Sequence, residues 1–141
     1  MKKQFLYFLA VLALAGIMLT ACSGSASASL AGTWKLISYG PPANPVPAVK
    51  DVDTSVSFGE DGTISGNVGC NNFGGDYKVS GDKIIFGPIS STLMMCADTA
   101  IGDQETAVFN SLTETVTFAL NGATLTITSS DGGSVIVLAR K

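Results

Sequence analysis

The chain has 141 residues, 46% hydrophobic and 13% charged, with a net charge of −3 and no histidine. Without histidine there are no His-based triads, Cys–His dyads or His metal sites. The acidic balance also lacks the clustered Lys/Arg of a nucleic-acid footprint, so no nucleic-acid partner is expected.

Lys2 and Lys3 precede an apolar run, Phe5–Leu19, which ends at Leu19-Thr20-Ala21-Cys22. A charged start, a short apolar stretch and small residues before a cysteine read as a cleavable export signal over residues 1–21, not a membrane span. Leu-Thr-Ala-Cys resembles the bacterial lipobox. That resemblance implies a lipid on Cys22, which becomes the mature N-terminus and ties the protein to a membrane. The plain alternative is an ordinary signal peptide with Cys22 unmodified. Ser23 follows Cys22 in place of the Asp of an inner-membrane retention signal. The expected location is therefore the cell envelope, at the outer membrane if the cell has two. Residues 22–29 carry Ser, Gly and Ala after the cysteine and read as a flexible tether, with a reach of roughly 15 Å.

Removing residues 1–21 leaves 120, enough for one domain, assigned to residues 30–141. Trp34–Tyr39 is the first strand candidate. Gly40–Val49 holds Pro41, Pro42, Pro45 and Pro47 and reads as a surface loop. Ser55–Phe58 and Thr63–Val68 flank the turn signal Asp61-Gly62. Gly74-Gly75 is read as introducing a strand over Asp76–Val79. Lys83–Phe86 follows, and Ile89–Leu93 is a further candidate. Thr115–Leu120, Thr124–Thr128 and Ser134–Ala139 form a meander through Asn121-Gly122 and Ser130–Gly133. Between them, Val108, Phe109 and Leu112 in Asp103–Glu114 have helical spacing, with Asp103 as N-cap and Glu105 in the first turn. The expected fold is mainly β: a small antiparallel barrel or half-barrel of about eight strands with one packed α-helix.

The centre of the chain holds the most specific pattern. Gly69-Cys70-Asn71-Asn72-Phe73-Gly74-Gly75-Asp76-Tyr77 is followed by Thr92-Leu93-Met94-Met95-Cys96 and then by Glu105. With Gly32-Thr33-Trp34 ahead of them, these blocks resemble the META domain of HslJ-like bacterial heat-shock lipoproteins. The resemblance spans Leu30–Leu138. It implies a β-rich fold with one helix and an envelope role tied to stress, drug resistance and motility. It implies no known enzymatic activity.

With Cys22 assigned to lipid, Cys70 and Cys96 remain as a pair in an exported protein, where a disulfide is the default. Two free buried thiols, or redox or metal use, are the alternatives. Asn71, Asn72 and Asp76 read either as a polar pocket or as residues that satisfy turn backbone groups. Alternation along a strand would place at least one of Met94 and Met95 in the core. Trp34, the only tryptophan, reads as a core anchor. Asp98, Asp103 and Glu105 lack the ligand spacing of a Ca²⁺ loop. No catalytic residue, metal or cofactor is expected. The functional expectation is a non-catalytic lipoprotein that binds or scaffolds an unknown envelope protein. A half-barrel carrier of an apolar ligand such as an acyl chain, and a protease inhibitor, are the alternatives.

Overall fold

A computed structural model describes residues 29–141. The expected export signal, Cys22 and residues 23–28 of the expected tether lie outside the described residues. Ten strands occur in chain order: β1 Gly32–Gly40, β2 Val46–Pro47, β3 Ser55–Phe58, β4 Thr63–Asn67, β5 Asn72–Ser80, β6 Lys83–Phe86, β7 Ser90–Ser91, β8 Thr115–Asn121, β9 Thr124–Thr128 and β10 Val135–Arg140. Among the described residues one helix, α1 Thr99–Ser111, lies between β7 and β8.

Eight strands close on themselves in the order β10-β9-β8-β6-β5-β4-β3-β1, and β1 pairs back to β10. All pairings are antiparallel, so every sheet edge inside the barrel is satisfied. The two short strands lie off this circuit, β2 on β1 and β7 on β5. β1 serves three neighbours: β10 runs beside it with a register shift between Leu36 and Ser38, β3 pairs with Gly32–Trp34, and β2 pairs with Ser38 and Tyr39. At this irregularity the Leu36 N–H donates to the buried Thr54 hydroxyl at 3.0 Å.

Period-two alternation fills the interior. Trp34, Leu36, Val56, Phe58, Ile64, Phe73, Ile84, Phe86, Val116, Leu125, Ile127, Ile136 and Leu138 are all buried on the inner faces. Each such side chain contributes on the order of 2 kcal/mol relative to exposure. The β3–β4, β5–β6 and β8–β9 hairpins and the Ser29–Leu30 approach gather at one pole. The turn after β4, the helix and the β9–β10 turn gather at the other.

Several local expectations are corrected. The helix begins four residues before Asp103, with Asp98 as N-cap; its carboxylate accepts the Ala100 N–H at 2.8 Å. Gly102 therefore lies inside the helix, where tertiary packing overrides its poor propensity. β5 begins at Asn72, so Gly74 and Gly75 are strand residues rather than a turn. The proline loop contributes β2, with Pro47 opposite Ser38. Only two residues pair there, at the margin of the sheet, where proline is tolerated.

Candidate functional site

Of the residues picked out in sequence, Gly69–Asn71, Thr92–Cys96 and Glu105 meet at the helix pole, whereas Tyr77 lies along β5 toward the hairpin pole. Glu105 sits mid-helix on the inward face, not in the first turn. One carboxylate oxygen accepts the Cys70 N–H at 3.0 Å and the Asn71 N–H at 2.6 Å. The other accepts from Asn71 Nδ2 at 2.6 Å. Two successive backbone N–H groups thus cradle an internal carboxylate, as such turns cradle bound anions. Gly69 lets the turn pack closely on the helix: a Cβ there would lie 3.0 Å from Glu105 Cβ and 3.1 Å from the Ile101 carbonyl, so a side chain would push the two apart slightly.

Asn71 is the hub of this turn. Its Oδ1 accepts the Thr92 hydroxyl at 2.8 Å and the Met94 N–H at 2.7 Å. Its Nδ2 also donates to the Met94 carbonyl at 3.1 Å. Asn72 and Asp76 are exposed whereas Asn71 is buried, so the three polar residues face different surroundings. Cys70 and Cys96 form a disulfide, with Cα atoms 5.8 Å apart. Phe73 meets Phe109 edge-on at 5.5 Å. The Tyr77 hydroxyl donates to the Gly59 carbonyl at 2.8 Å, and burial raises its pKa, with Asp61 and Glu60 adding to the shift. Gly75 lies under the β6–β7 connection, where a Cβ would press on the Pro88 carbonyl at 2.7 Å.

The core reading of the methionine pair is overturned. Leu93, Met94 and Met95 are 95%, 57% and 97% exposed. The segment is not a strand, so alternation does not govern it. Asn71 grips both backbone polar groups of Met94 from inside, and the side chains face outward.

Sequence reasoning missed two residues. Gln104 is fully buried, accepts the Val49 N–H at 2.7 Å and donates to the Val68 carbonyl at 2.6 Å. It fastens the proline loop and the end of β4 to the helix. At the other pole the Arg140 guanidinium lies 4.2 Å from the Trp34 ring and donates to the Ala31 and Ser29 carbonyls. Trp34 itself is fully buried and donates to the Leu30 carbonyl at 2.9 Å. No sequence motif marks Arg140, but Gln104 stands four residues before Val108, a helical spacing that puts it on the same buried face.

Chemically, the helix pole is built to hold itself together. Cys70, Cys96 and Glu105 place possible ligand atoms within 4.8 Å of one another. The two sulfurs are bonded to each other, however, and the carboxylate is engaged by three N–H donors. Among the described residues, no buried side-chain polar atom lacks a hydrogen-bond partner. At the hairpin pole the barrel mouth opens into a cavity of about 720 Å³. Leu30, Tyr77, Val79, Phe118 and Leu120 line it, with Glu60 beside them. A smaller cleft of about 460 Å³ runs between Pro88-Ile89 and Phe109-Leu112.

The META domain family matches residues 28–141 of the 141-residue chain. The chain belongs to the META domain family. No curated protein matches it. A protein from Burkholderia xenovorans, solved by NMR, is similar at 20% identity and a TM-score of 0.64, over 78% of this chain and 81% of that one. A second NMR structure is similar at 25% identity and a TM-score of 0.59, over 75% of this chain and 86% of that one. A DUF4847 family protein from Bacteroides vulgatus is similar at 14% identity and a TM-score of 0.55, covering 79% and 93% respectively. These likenesses describe the barrel of the META domain; none carries an activity. Among the described residues no helix is long and apolar enough to cross a membrane.

Proposed function

We propose that this META domain protein is a non-catalytic envelope lipoprotein, held by lipid on Cys22, that binds another envelope component through the Leu93–Met95 loop. The observation that carries the reading is that loop: three large apolar side chains, exposed, on a backbone fixed by Asn71 and Cys96. A rigid apolar protrusion loses little entropy on docking. The chain approaches the barrel at Ser29, the opposite pole, so a tether with a reach of roughly 15 Å holds the mouth near the bilayer and aims the loop away from it. The link to envelope stress and drug resistance comes from the family resemblance and belongs to this proposal.

The test combines Cys22→Ala with a Leu93→Ser/Met95→Ser variant. Cys22→Ala should move the protein to the soluble exported fraction. The loop variant should melt like the parent yet lose its photocrosslink to an envelope partner. An undiminished crosslink in the loop variant would overturn the reading.

A second reading has the barrel mouth in its favour: a carrier of an acyl chain lodged against Val79, Phe118 and Leu120. A fluorescent fatty acid should then bind the parent and fail to bind Leu120→Arg. No binding to the parent would remove this reading.

A further inference from the structure

Among the described residues there are four sulfur atoms, and all lie at the tip of the helix pole. Two are joined in Cys70–Cys96. The other two are the adjacent thioethers of Met94 and Met95, the only methionines after Met18. Methionine usually fills gaps in a core, where oxidation disrupts packing. Here Met95 is 97% and Met94 57% exposed. Neither belongs to the buried cluster that fills the barrel. The loop is held by its backbone, through the Met94 N–H and carbonyl on Asn71, and by Cys96 on Cys70. A change confined to the thioethers therefore leaves every contact that positions the loop intact.

We propose that Met94 and Met95 are an oxidation site that converts this loop from an apolar to a polar surface without unfolding the domain. The oxidant class is a two-electron oxygen donor such as hydrogen peroxide. The thioether sulfur gives an electron pair to one peroxide oxygen; the O–O bond breaks and an S–O bond forms. The departing hydroxide takes the proton left on the transferred oxygen and leaves as water. Sulfur is oxidised by two electrons and peroxide is reduced. The disulfide takes no part, since its sulfurs are already oxidised. The sulfoxide is polar and accepts hydrogen bonds, so the loop loses the apolar character that docking requires. This last consequence rests on the docking reading above; the oxidation itself does not.

The experiment uses the exported chain with its disulfide intact, treated with hydrogen peroxide beside a short unstructured methionine peptide. Peptide mapping should find one oxygen on Met95 first and a second on Met94, with Met95 reacting as fast as the free peptide. The oxidised protein should elute earlier from a hydrophobic-interaction column, as should Met94→Gln/Met95→Gln, and its melting temperature should match the parent. Protection of both residues relative to the peptide, or a fall in melting temperature on oxidation, would overturn the proposal. Crosslinking separates the two readings. Docking that persists unchanged after both sulfoxides form defeats the switch, whereas absence of docking in the unoxidised protein defeats the loop reading alone.

Discussion

Asn71 shows how much one side chain holds at the helix pole. Both of its amide atoms are engaged, across the chain to Thr92, Met94 and Glu105. Asn71→Ala leaves both backbone groups of Met94 and one oxygen of Glu105 without that partner. We expect a loss of about 3 kcal/mol, read as a fall of more than about 10 °C in thermal denaturation. Glu105→Gln keeps the shape but turns an amide donor toward an N–H of the Gly69–Asn71 turn, and should cost about 2 kcal/mol. A Glu105→Gln protein that melts like the parent would show that the cradle of N–H groups does not need a carboxylate. The identities of these residues were legible in the sequence because the motif singles them out. Their inward roles were not, because hydrogen bonds spanning 34 residues, such as Asn71 to Glu105, follow no local period.

Elements are joined by turns that carry their own electrostatics. Asp61 accepts the hydroxyl and N–H of Thr63, and Asp131 accepts the Ser129 hydroxyl and the Gly133 N–H. These bonds, led by the hydroxyl in each case, hold both carboxyls below the ordinary Asp range. A lowered folded pKa means stability that is present above the unfolded value, near about pH 4, and is lost as pH falls through the folded value. Both groups are fully exposed, so the effect is small. Asp61→Asn/Asp131→Asn should lower the melting temperature slightly at neutral pH and flatten its decline in acid, as measured by melts across a pH series. The disulfide joins the β4–β5 turn to the approach to α1 across 26 residues. Reduction should cost about 3 kcal/mol, a fall of about 10–15 °C for a domain of this size, with a cooperative transition retained. Thiol labelling before and after reductant, paired with the melts, checks both parts. The hairpins at Asp61-Gly62 and Asn121-Gly122 were readable because their turn residues act locally. The helix start was not, because Gly102 looks like a boundary until packing places it within α1.

At the scale of the whole molecule the decisive contact is the pairing of β1 with β10, which joins the two ends of the domain. Removing residues 135–141 would delete Ile136 and Leu138 from the core and leave β1 and β9 with open edges. Such a chain should show no cooperative melting transition; a sharp transition near the parent temperature would mean that closure contributes little. Arg140→Ala is the milder form, releasing Ser29 and Ala31 from the mouth, with faster amide exchange expected at Ala31 and at Trp34 Nε1. By itself the sequence determined the strand-rich class, most strand positions, the hairpins, the helix before β8 and the family, since alternation, turn chemistry and short motifs are local. Only the tertiary structure decided that the barrel closes, that Glu105 faces inward and that Met94 and Met95 face outward. Those outcomes depend on strand ends far apart in sequence meeting, and on a loop shaped by Asn71 rather than by any repeat of its own.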